Sequence, residues 1–151
     1  MCYDLITVEP ISSKEKAAIG ELAVASDLLK RGFHVLIPFG DYSAYDLVIE
    51  RSLAEGSSFE RVQVKYTKSD GDVIKIKARS HSVVKGNVTT TRLYDPTVAE
   101  WVAAYDATTD ACYYIPTTEL VSFISGEIHL RLSSPKNGKK SVRWADEYTQ
   151  I

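Results

Sequence analysis

Apolar and polar positions along the chain follow two periods, which predict one long helix followed by a series of short strands. Between residues 11 and 32 (ISSKEKAAIGELAVASDLLKRG), apolar residues recur every three to four positions, as they do on the buried face of a helix. Ser12 and Glu15 have the spacing of a capping box, and Gly32 follows two basic residues as a C-terminal stop. We expect the buried stripe of this helix to consist of Ala18, Leu22, Ala25 and Leu29.

After the helix, short runs rich in apolar residues predict four strands. The first is FHVLIP, which ends at Pro38, and the second is YDLVIE. The third is RVQVKYT. The fourth, VIKIKAR, is predicted to form a hairpin with it because the turn sequence SDGD lies between them. The connection between the second and third strands is short, so we expect these two to be antiparallel neighbours.

The second half of the chain carries weaker signals. The segment SHSVVKGNVTTTRLYDP has weak periodicity, and we expect a loop or an irregular excursion there. VAEWVAAYDATTDACYYIP predicts two strands around a polar turn, TTELVSFI a short helix, and EIHLRL a late edge strand. This order of elements predicts an α/β or α+β domain whose mixed central β-sheet is flanked by helices.

Length and composition fit one ordinary globular domain. We place a single domain over residues 1–151, with its core at about 12–125, a basic β-hairpin at about 60–80 and a polar tail at 133–151. The chain is 44% apolar and 25% charged, and no run approaches the roughly 20 apolar residues of a membrane helix. The N-terminus lacks a signal-peptide pattern, and the two cysteines have no metal-ligand spacing. We therefore expect a reduced, cytoplasmic chain.

The net charge of −2 conceals a separation of charges along the chain. Residues 1–60 hold five basic and ten acidic residues, a balance of −5, and residues 93–151 hold five and eight, a balance of −3. Residues 61–92 hold eight basic and two acidic residues, a balance of +6. Such a block is either a contact surface for phosphates or a solvated lysine-rich face. The candidate DNA contacts are Lys68, Lys75, Lys77, Arg79, Lys85 and Arg92.

Polar residues in two neighbouring strands and in the helix are the candidate chemistry. Gln63 and Lys65 point to the same face of the third strand, and Asp46 opens the second strand beside them. Glu21 lies beside the apolar stripe of the helix that covers this sheet. Carboxylate and amide oxygens are ligands for hard cations such as Mg²⁺, and an ammonium stabilises charge that develops on a phosphate. This combination suits hydrolysis of a phosphodiester.

The order of these residues resembles the PD-(D/E)XK nuclease superfamily over about residues 12–125. Glu21 on the helix, Asp46 at a strand and QVK at 63–65 match its pattern of a helical Glu, an Asp, and an acid or amide two positions before a Lys. Within the superfamily, the Gln-x-Lys form, the small size and the segment WVAAYD…CYYIP…TTELV are most similar to homing endonucleases encoded by group I introns. Holliday-junction resolvases share the helical GELA element.

The resemblance implies a restriction-endonuclease-like core and a role for each motif residue. Glu21, Asp46, Gln63 and Lys65 would be catalytic, and Lys65 would activate water or stabilise charge. The metal ligands would be Asp46, Glu21, Gln63 and the carbonyl group of Val64, with Mg²⁺ as the cofactor and Mn²⁺ as a substitute.

Two positions depart from the superfamily pattern. Tyr45 stands where Pro is usual, which matters little because that residue does no chemistry. Gln63 stands at an acidic position, and its amide oxygen brings no negative charge. The site should therefore hold metal more weakly or depend more on Glu21. Glu50 shares the face of Asp46 by strand parity and is a reserve carboxylate.

The resemblance implies a Mg²⁺-dependent, sequence-specific double-strand DNA endonuclease of the intron-homing kind. The alternatives are a resolvase that cuts branched DNA and a DNA-binding module whose nuclease site has decayed. Two copies are needed to cut a duplex, so we expect a dimer or tetramer. Apolar residues of the C-terminal third would supply either its interface or core packing: Trp101, Val121, Phe123 and Ile124.

The basic strand VIKIKAR suits the major groove of DNA as part of a two-stranded ribbon. A two-residue turn at Asp70 and Gly71 would put Lys75 and Lys77 on the face opposite Lys65. A three-residue loop with a bulge at Gly71 would put all three lysines on one face, and we favour this second arrangement.

Overall fold

The structure, a computed structural model, describes residues 10–40, 42–84, 87–120, 126–135 and 142–151. Over residues 80–84 and 87–92 it describes the backbone alone. None of the helices in these ranges combines the length and the apolar composition that a membrane span requires.

The described chain forms two α-helices, nine strands and one short 3-10 helix, and most of the predicted elements are confirmed. In chain order they are α1 (Ser13–Lys30), β1 (His34–Leu36), β2 (Leu47–Ser52), β3 (Ser57–Thr67), β4 (Val73–Lys77), β5 (Arg79–Val84), β6 (Asn87–Leu93), β7 (Trp101–Asp106), β8 (Ala111–Pro116), α2 (Thr117–Leu120), β9 (Glu127–Arg131) and the 3-10 helix (Ala145–Tyr148).

A five-stranded sheet in the order β1-β2-β3-β7-β8 forms the centre of the fold. It is mixed, as predicted: β3 and β7 are parallel, whereas β1–β2, β2–β3 and β7–β8 are antiparallel. The pairing of β2 with β3 ends where Leu47 faces Val62, while β7 follows the other edge of β3 from Val62 to Thr67. Among the described residues, no strand pairs with the β2 side of β3 from Gln63 onwards, so that edge is open.

Helix α1 covers one face of this sheet. Both hydrogen bonds of the predicted capping box between Ser12 and Glu15 are present, which fixes where the helix begins. Its buried residues are Gly20, Val24 and Leu28, which recur at four-residue spacing. Complete burial of Val24 and Leu28 contributes roughly 1.5–3 kcal/mol for each side chain. The sheet residues in the same core are Leu47, Ile49, Val62, Val64, Ala103 and Tyr114.

The predicted buried stripe of α1 was wrong. Leu22 and Leu29 are 70% and 58% exposed, and Val24 and Leu28 are fully buried instead. Apolar residues surround this helix, so their period predicts a helix but does not single out one face. Gly20 decides the orientation, since an added Cβ there would lie 3.4 Å from the Cβ of Tyr66. The helix can approach β3 this closely only on its glycine side.

The other face of the sheet is covered by a ribbon of β4 and β9, together with α2 and the 3-10 helix. The predicted hairpin of β3 with β4 was wrong, since β4 pairs antiparallel with β9. The turn does form: the Asp70 carboxylate accepts hydrogen bonds from the backbone N–H groups of Asp72 and Val73. Ile74 and Ile76, however, are buried in the second core, so β4 lies over the sheet instead of extending it.

The segment after β4, predicted as a loop or an irregular excursion, forms an antiparallel hairpin of β5 and β6. The register of this hairpin shifts between Ser82 and Val83. Valine occurs in both strands and threonine three times in β6, and β-branched residues favour extended backbone. The many polar residues obscured this preference, because no strict alternation remains in the sequence.

Candidate active site

Asp46 lies immediately before β2, at the point where the edge of β3 becomes open. Its backbone N–H donates to the carbonyl oxygen of Val62 at 3.0 Å, which continues the β2–β3 pairing by one bond. Its carboxylate oxygen Oδ2 accepts from the backbone N–H of Val64 at 2.6 Å. Burial raises the pKa of Asp46, against the opposing effects of that hydrogen bond and of the positive charge on Lys65. The structure thus places a partly desolvated carboxylate at the sheet edge.

Gln63 and the backbone of Val64 both contact Asp46. The side-chain amide nitrogen of Gln63 donates to Asp46 Oδ2 and lies 3.4 Å from the carbonyl oxygen of Val64. In a strand, the N–H and C=O groups of one residue point to the same side, so both groups of Val64 face the open edge. The carboxylate oxygen of Asp46 and the carbonyl oxygen of Val64 therefore both face the side-chain amide group of Gln63.

Lys65 follows on β3, half-buried, opposite Ala104 of β7. Its Nζ lies 4.9 Å from the ring centroid of Tyr94. No sequence pattern singles out Tyr94, which comes directly after β6 and is distant from β3 along the chain.

One open cavity of about 350 Å³ brings the predicted residues together. Its lining residues include all of the predicted site: Glu21, Asp46, Gln63, Val64 and Lys65. Glu21 is half-buried, and the close approach of α1 at the neighbouring Gly20 brings it to β3.

Residues that the sequence analysis did not select line the same cavity: Ser13, Lys16, Ala17 and Tyr66. Ser13 and Ala17 precede Glu21 on α1 at four-residue spacing, and Lys16 lies next to that row. The helical period, applied backwards from Glu21, leads to Ala17 and Ser13, whereas Lys16 lies about 140° round the helix from Glu21 and carried no such signal. This lysine adds a second ammonium group to the cavity.

The donor atoms of the cavity fit a hard divalent cation. They comprise the carboxylates of Glu21 and Asp46 and the carbonyl oxygen of Val64. Gln63 turns its amide nitrogen towards Asp46 and Val64, and its amide oxygen would join these donors once the amide group is rotated by half a turn. In the described part of the chain, no group of three His, Cys, Asp or Glu residues is arranged to hold a metal. Gln63 accounts for this result, because an amide stands where a third acid would complete such a group.

Glu50 is not part of this site, so its assignment as a reserve carboxylate was wrong. Its carboxylate oxygen Oε2 lies 3.3 Å from Nδ1 of His34, on the neighbouring strand β1. The side chain of Ser57, and then His34, lower the pKa of Glu50 by hydrogen bonding. Strand parity gave the correct face for Glu50. Four residues of strand nevertheless separate it from Asp46 by about 13 Å.

The predicted DNA contacts are distributed over several elements. Lys68, Lys75 and Lys77 are exposed, and the backbone carbonyl of Lys75 accepts from Thr67 Oγ1 at 3.0 Å, beside the end of β3. Arg79 is half-buried, and its guanidinium lies against Gly126.

Two of the predicted contacts cannot be placed. Lys85 lies outside the described residues, as does the side chain of Arg92. Because β4 does not form a hairpin with β3, the loop length at Gly71 does not decide which lysines share a face. Instead, Lys75 and Lys77 face solvent because Ile74 and Ile76 face the core.

Comparisons with known proteins agree with this architecture. A sequence profile described as PD-(D/E)XK endonuclease matches residues 11–151. No curated protein matches the chain. The fold is similar to the solved structure of a bacterial homing endonuclease, I-Ssp6803I, with a TM-score of 0.68 and 25% sequence identity. That similarity covers 91% of this chain and 88% of the other.

Proposed function

The chain belongs to the PD-(D/E)XK endonuclease family, and from that premise we propose that it is a metal-dependent, sequence-specific endonuclease. It cuts both strands of duplex DNA and is of the homing kind encoded by group I introns. One observation carries the proposal: Glu21, Asp46, Gln63, Val64 and Lys65 line a single open cavity. A nuclease of this type, structurally similar to a homing endonuclease, needs such a cavity at its surface to admit a DNA backbone.

Members of this family typically use divalent metal ions, and we assign Mg²⁺ to this cavity, with Mn²⁺ as a substitute. Asp46, Glu21, the amide oxygen of Gln63 and the carbonyl oxygen of Val64 would hold the ion. When bound, the cation supplies positive charge towards a phosphate oxygen and towards a nucleophilic water.

The chain's own residues orient the substrate and stabilise charge. Asp46 is fixed by the Val64 N–H group at 2.6 Å, so its carboxylate cannot swing out of the cavity without losing that bond. The ammonium group of Lys65 donates to the oxygen on which negative charge develops during attack on phosphorus. Lys16, at the wall formed by α1, contacts an adjacent phosphate of the backbone.

The direct test is to incubate the purified protein with a randomised library of linear duplexes and Mg²⁺, then sequence the cut ends. We expect ends that share one sequence and that are cut in both strands, and no cutting in EDTA. A junction resolvase would leave the linear library intact and would cut four-way junctions of any sequence. The similarity to a homing endonuclease favours the first outcome.

The second candidate function is DNA binding without catalysis, and Gln63 is the observation that favours it. An amide at an acidic ligand position weakens the attraction of the cavity for a cation. Binding of a specific duplex with no cutting in Mg²⁺ or Mn²⁺, unaffected by Lys65→Ala, would support this candidate.

We further infer that the active form is a dimer or tetramer, because one cavity cuts one strand. Sedimentation should give a mass of two or four times the 16.8 kDa of a single chain. Trp101, a candidate for the interface, packs with the core under α1, and its Nε1 donates to Glu60 at 2.6 Å. Val121, Phe123 and Ile124 lie outside the described residues.

Replacing Gln63 by Glu should tighten the binding of divalent cations about tenfold, because a third carboxylate adds negative charge to the donor set. The measurement is calorimetric titration of the DNA-free protein with Mn²⁺, which does not depend on activity. The matched control is Gln150→Glu, the same change of charge at an exposed position outside the cavity. Equal affinity in the Gln63→Glu variant and the wild type would exclude Gln63 from the ligand set.

Replacing Lys75 and Lys77 together by Ala should weaken DNA binding and reduce its dependence on salt. Each phosphate contact contributes about 0.9 to the slope of log K against log salt concentration, so the slope should fall by up to roughly 1.8. Fluorescence anisotropy over a range of salt concentrations measures this slope. Lys30→Ala removes an exposed lysine at the far end of α1 and should leave the slope unchanged. An unchanged slope in the double variant would remove β4 from the interface.

A further inference from the structure

The ammonium group of Lys65 lies over the face of a buried aromatic ring. Its Nζ is 4.9 Å from the ring centroid of Tyr94, within the roughly 6 Å range over which a cation is attracted by the ring quadrupole. Tyr94 is only 3% exposed, and Lys65 is half-buried. The partial removal of water from both groups strengthens such an attraction relative to an exposed pair.

Tyr94 is held more rigidly than the lysine it contacts. Its backbone N–H donates to the carbonyl oxygen of Ala78 at 3.0 Å. The backbone N–H of Ala78 donates in turn to the carbonyl oxygen of Gly126 at 2.8 Å. The ring belongs to the core between the central sheet and the β4–β9 ribbon. A lysine side chain, by contrast, carries its charge on a flexible four-carbon stem. The ring of Tyr94 is thus held in place by the core, and the more flexible side chain of Lys65 packs its ammonium group against it.

The described residues form no salt bridge to Lys65. This matters chemically, because a carboxylate partner would occupy the N–H donors that a phosphate needs. The face of an aromatic ring attracts the cation without accepting a conventional hydrogen bond. Among the described residues, no carboxylate therefore holds the N–H donors of this ammonium away from oxygen atoms in the cavity.

We propose that Tyr94 is a positioning residue for catalysis: its ring holds the ammonium of Lys65 at the cavity while leaving the N–H donors for the substrate. This inference rests on the proposed nuclease function, in which Lys65 stabilises charge on the phosphate. Tyr94 itself touches no substrate.

The first test compares Tyr94→Phe with Tyr94→Leu on the cognate duplex. The phenylalanine variant keeps the ring and should cleave within about twofold of the wild-type rate. The leucine variant keeps apolar bulk but loses the ring face, and kcat should fall roughly 3- to 30-fold with KM for DNA unchanged, as a cation–π contribution of the usual size predicts. Wild-type kcat in Tyr94→Leu would overturn the inference.

A graded series removes the concern that leucine simply disturbs the core. Phenylalanine at position 94 is replaced by its mono-, tri- and pentafluorinated forms, which weaken the negative face of the ring with little change of shape. The cleavage rate should fall at each step if the ring acts through its electrostatics. A role in packing alone predicts equal rates across the series, and that result would contradict the inference.

A measurement without DNA or metal separates this inference from the proposed function. Reductive methylation with ¹³C labels the lysines and preserves their charge, and the resonance absent from Lys65→Arg identifies Lys65. Its signal should carry a ring-current shift in the wild type and in Tyr94→Phe that disappears in Tyr94→Leu. If the protein cuts no DNA but the shift is present, the proposed function fails and the contact stands. If it cuts DNA but the shift is absent, the inference fails alone.

Discussion

Asp46→Asn is expected to reduce the rate of DNA cleavage by at least about 10³-fold, equivalent to about 4 kcal/mol of transition-state stabilisation. Asparagine has the same shape and can still accept from the Val64 N–H group, which the carboxylate meets at 2.6 Å. It lacks the negative charge through which the cavity would hold a cation. DNA affinity, measured by anisotropy in Ca²⁺, should stay within about threefold of wild type. Single-turnover cleavage of the cognate duplex gives the rate.

The thermal stability of this variant shows whether the loss is chemical or structural. Since burial raises the pKa of Asp46, the folded chain binds more protons than the unfolded chain between the ordinary value of 3.8 and that raised pKa. The stability of the metal-free wild type therefore declines as pH rises through this window. The uncharged asparagine has no such dependence, so its Tm at neutral pH should equal or exceed the wild-type value, and this advantage should vanish below pH 3.8.

Glu50→Gln is the matched control for this prediction. It makes the same kind of change four residues further along the chain, within β2, but Glu50 pairs with His34 and does not line the cavity. Cleavage should remain within about twofold of wild type. A comparable loss in both variants, or a fall in Tm limited to Asp46→Asn, would mean that Asp46 acts through stability and not as a ligand.

The contrast between Asp46 and Glu50 illustrates what the sequence could predict about the site. Spacing by two residues places Gln63 and Lys65 on one face, and the short β2–β3 connection brings Asp46 beside them. These are local relations, and all of them were predicted. The alternation of side chains also predicted the right face for Glu50, but alternation does not determine how far along the strand a residue lies from the site. The point where β2 stops pairing with β3 decides which carboxylate meets the open edge.

The parts of the fold that were predicted wrongly depend on contacts between distant segments. The capping box of α1 lies within four residues and was confirmed, whereas its buried face depends on how closely Gly20 approaches Tyr66. Likewise, the turn before β4 is local and formed as predicted. Its partner β9 lies about fifty residues further along the chain, and no sequence pattern in either strand predicts that the two pair. Tyr94 was missed for the same reason.

Lys65→Ala should lower kcat for cleavage by about 10²- to 10³-fold, the usual effect of removing a group that stabilises charge in a transition state. Lys65→Arg should not restore the rate, because a planar guanidinium needs more room and presents its donors differently. DNA binding in Ca²⁺ should change little, since several exposed lysines besides Lys65 remain to meet phosphates. Single-turnover kinetics on the cognate duplex separate the rate of the chemical step from binding.

The controls for Lys65→Ala decide between a role in chemistry and a general loss of positive charge. Lys30→Ala removes an equal charge at the far end of α1 and should cleave at the wild-type rate. Ethylammonium added to Lys65→Ala should raise the rate in a saturable manner, because it supplies the missing ammonium to the cavity. In the Lys65→Ala background, Tyr94→Leu should not lower the cleavage rate further, since the ring then has no cation to hold. If Tyr94→Leu lowers the cleavage rate of Lys65→Ala as much as it lowers that of the wild type, the two residues act independently. If Lys65→Ala itself cleaves within about tenfold of the wild-type rate, another residue stabilises the charge.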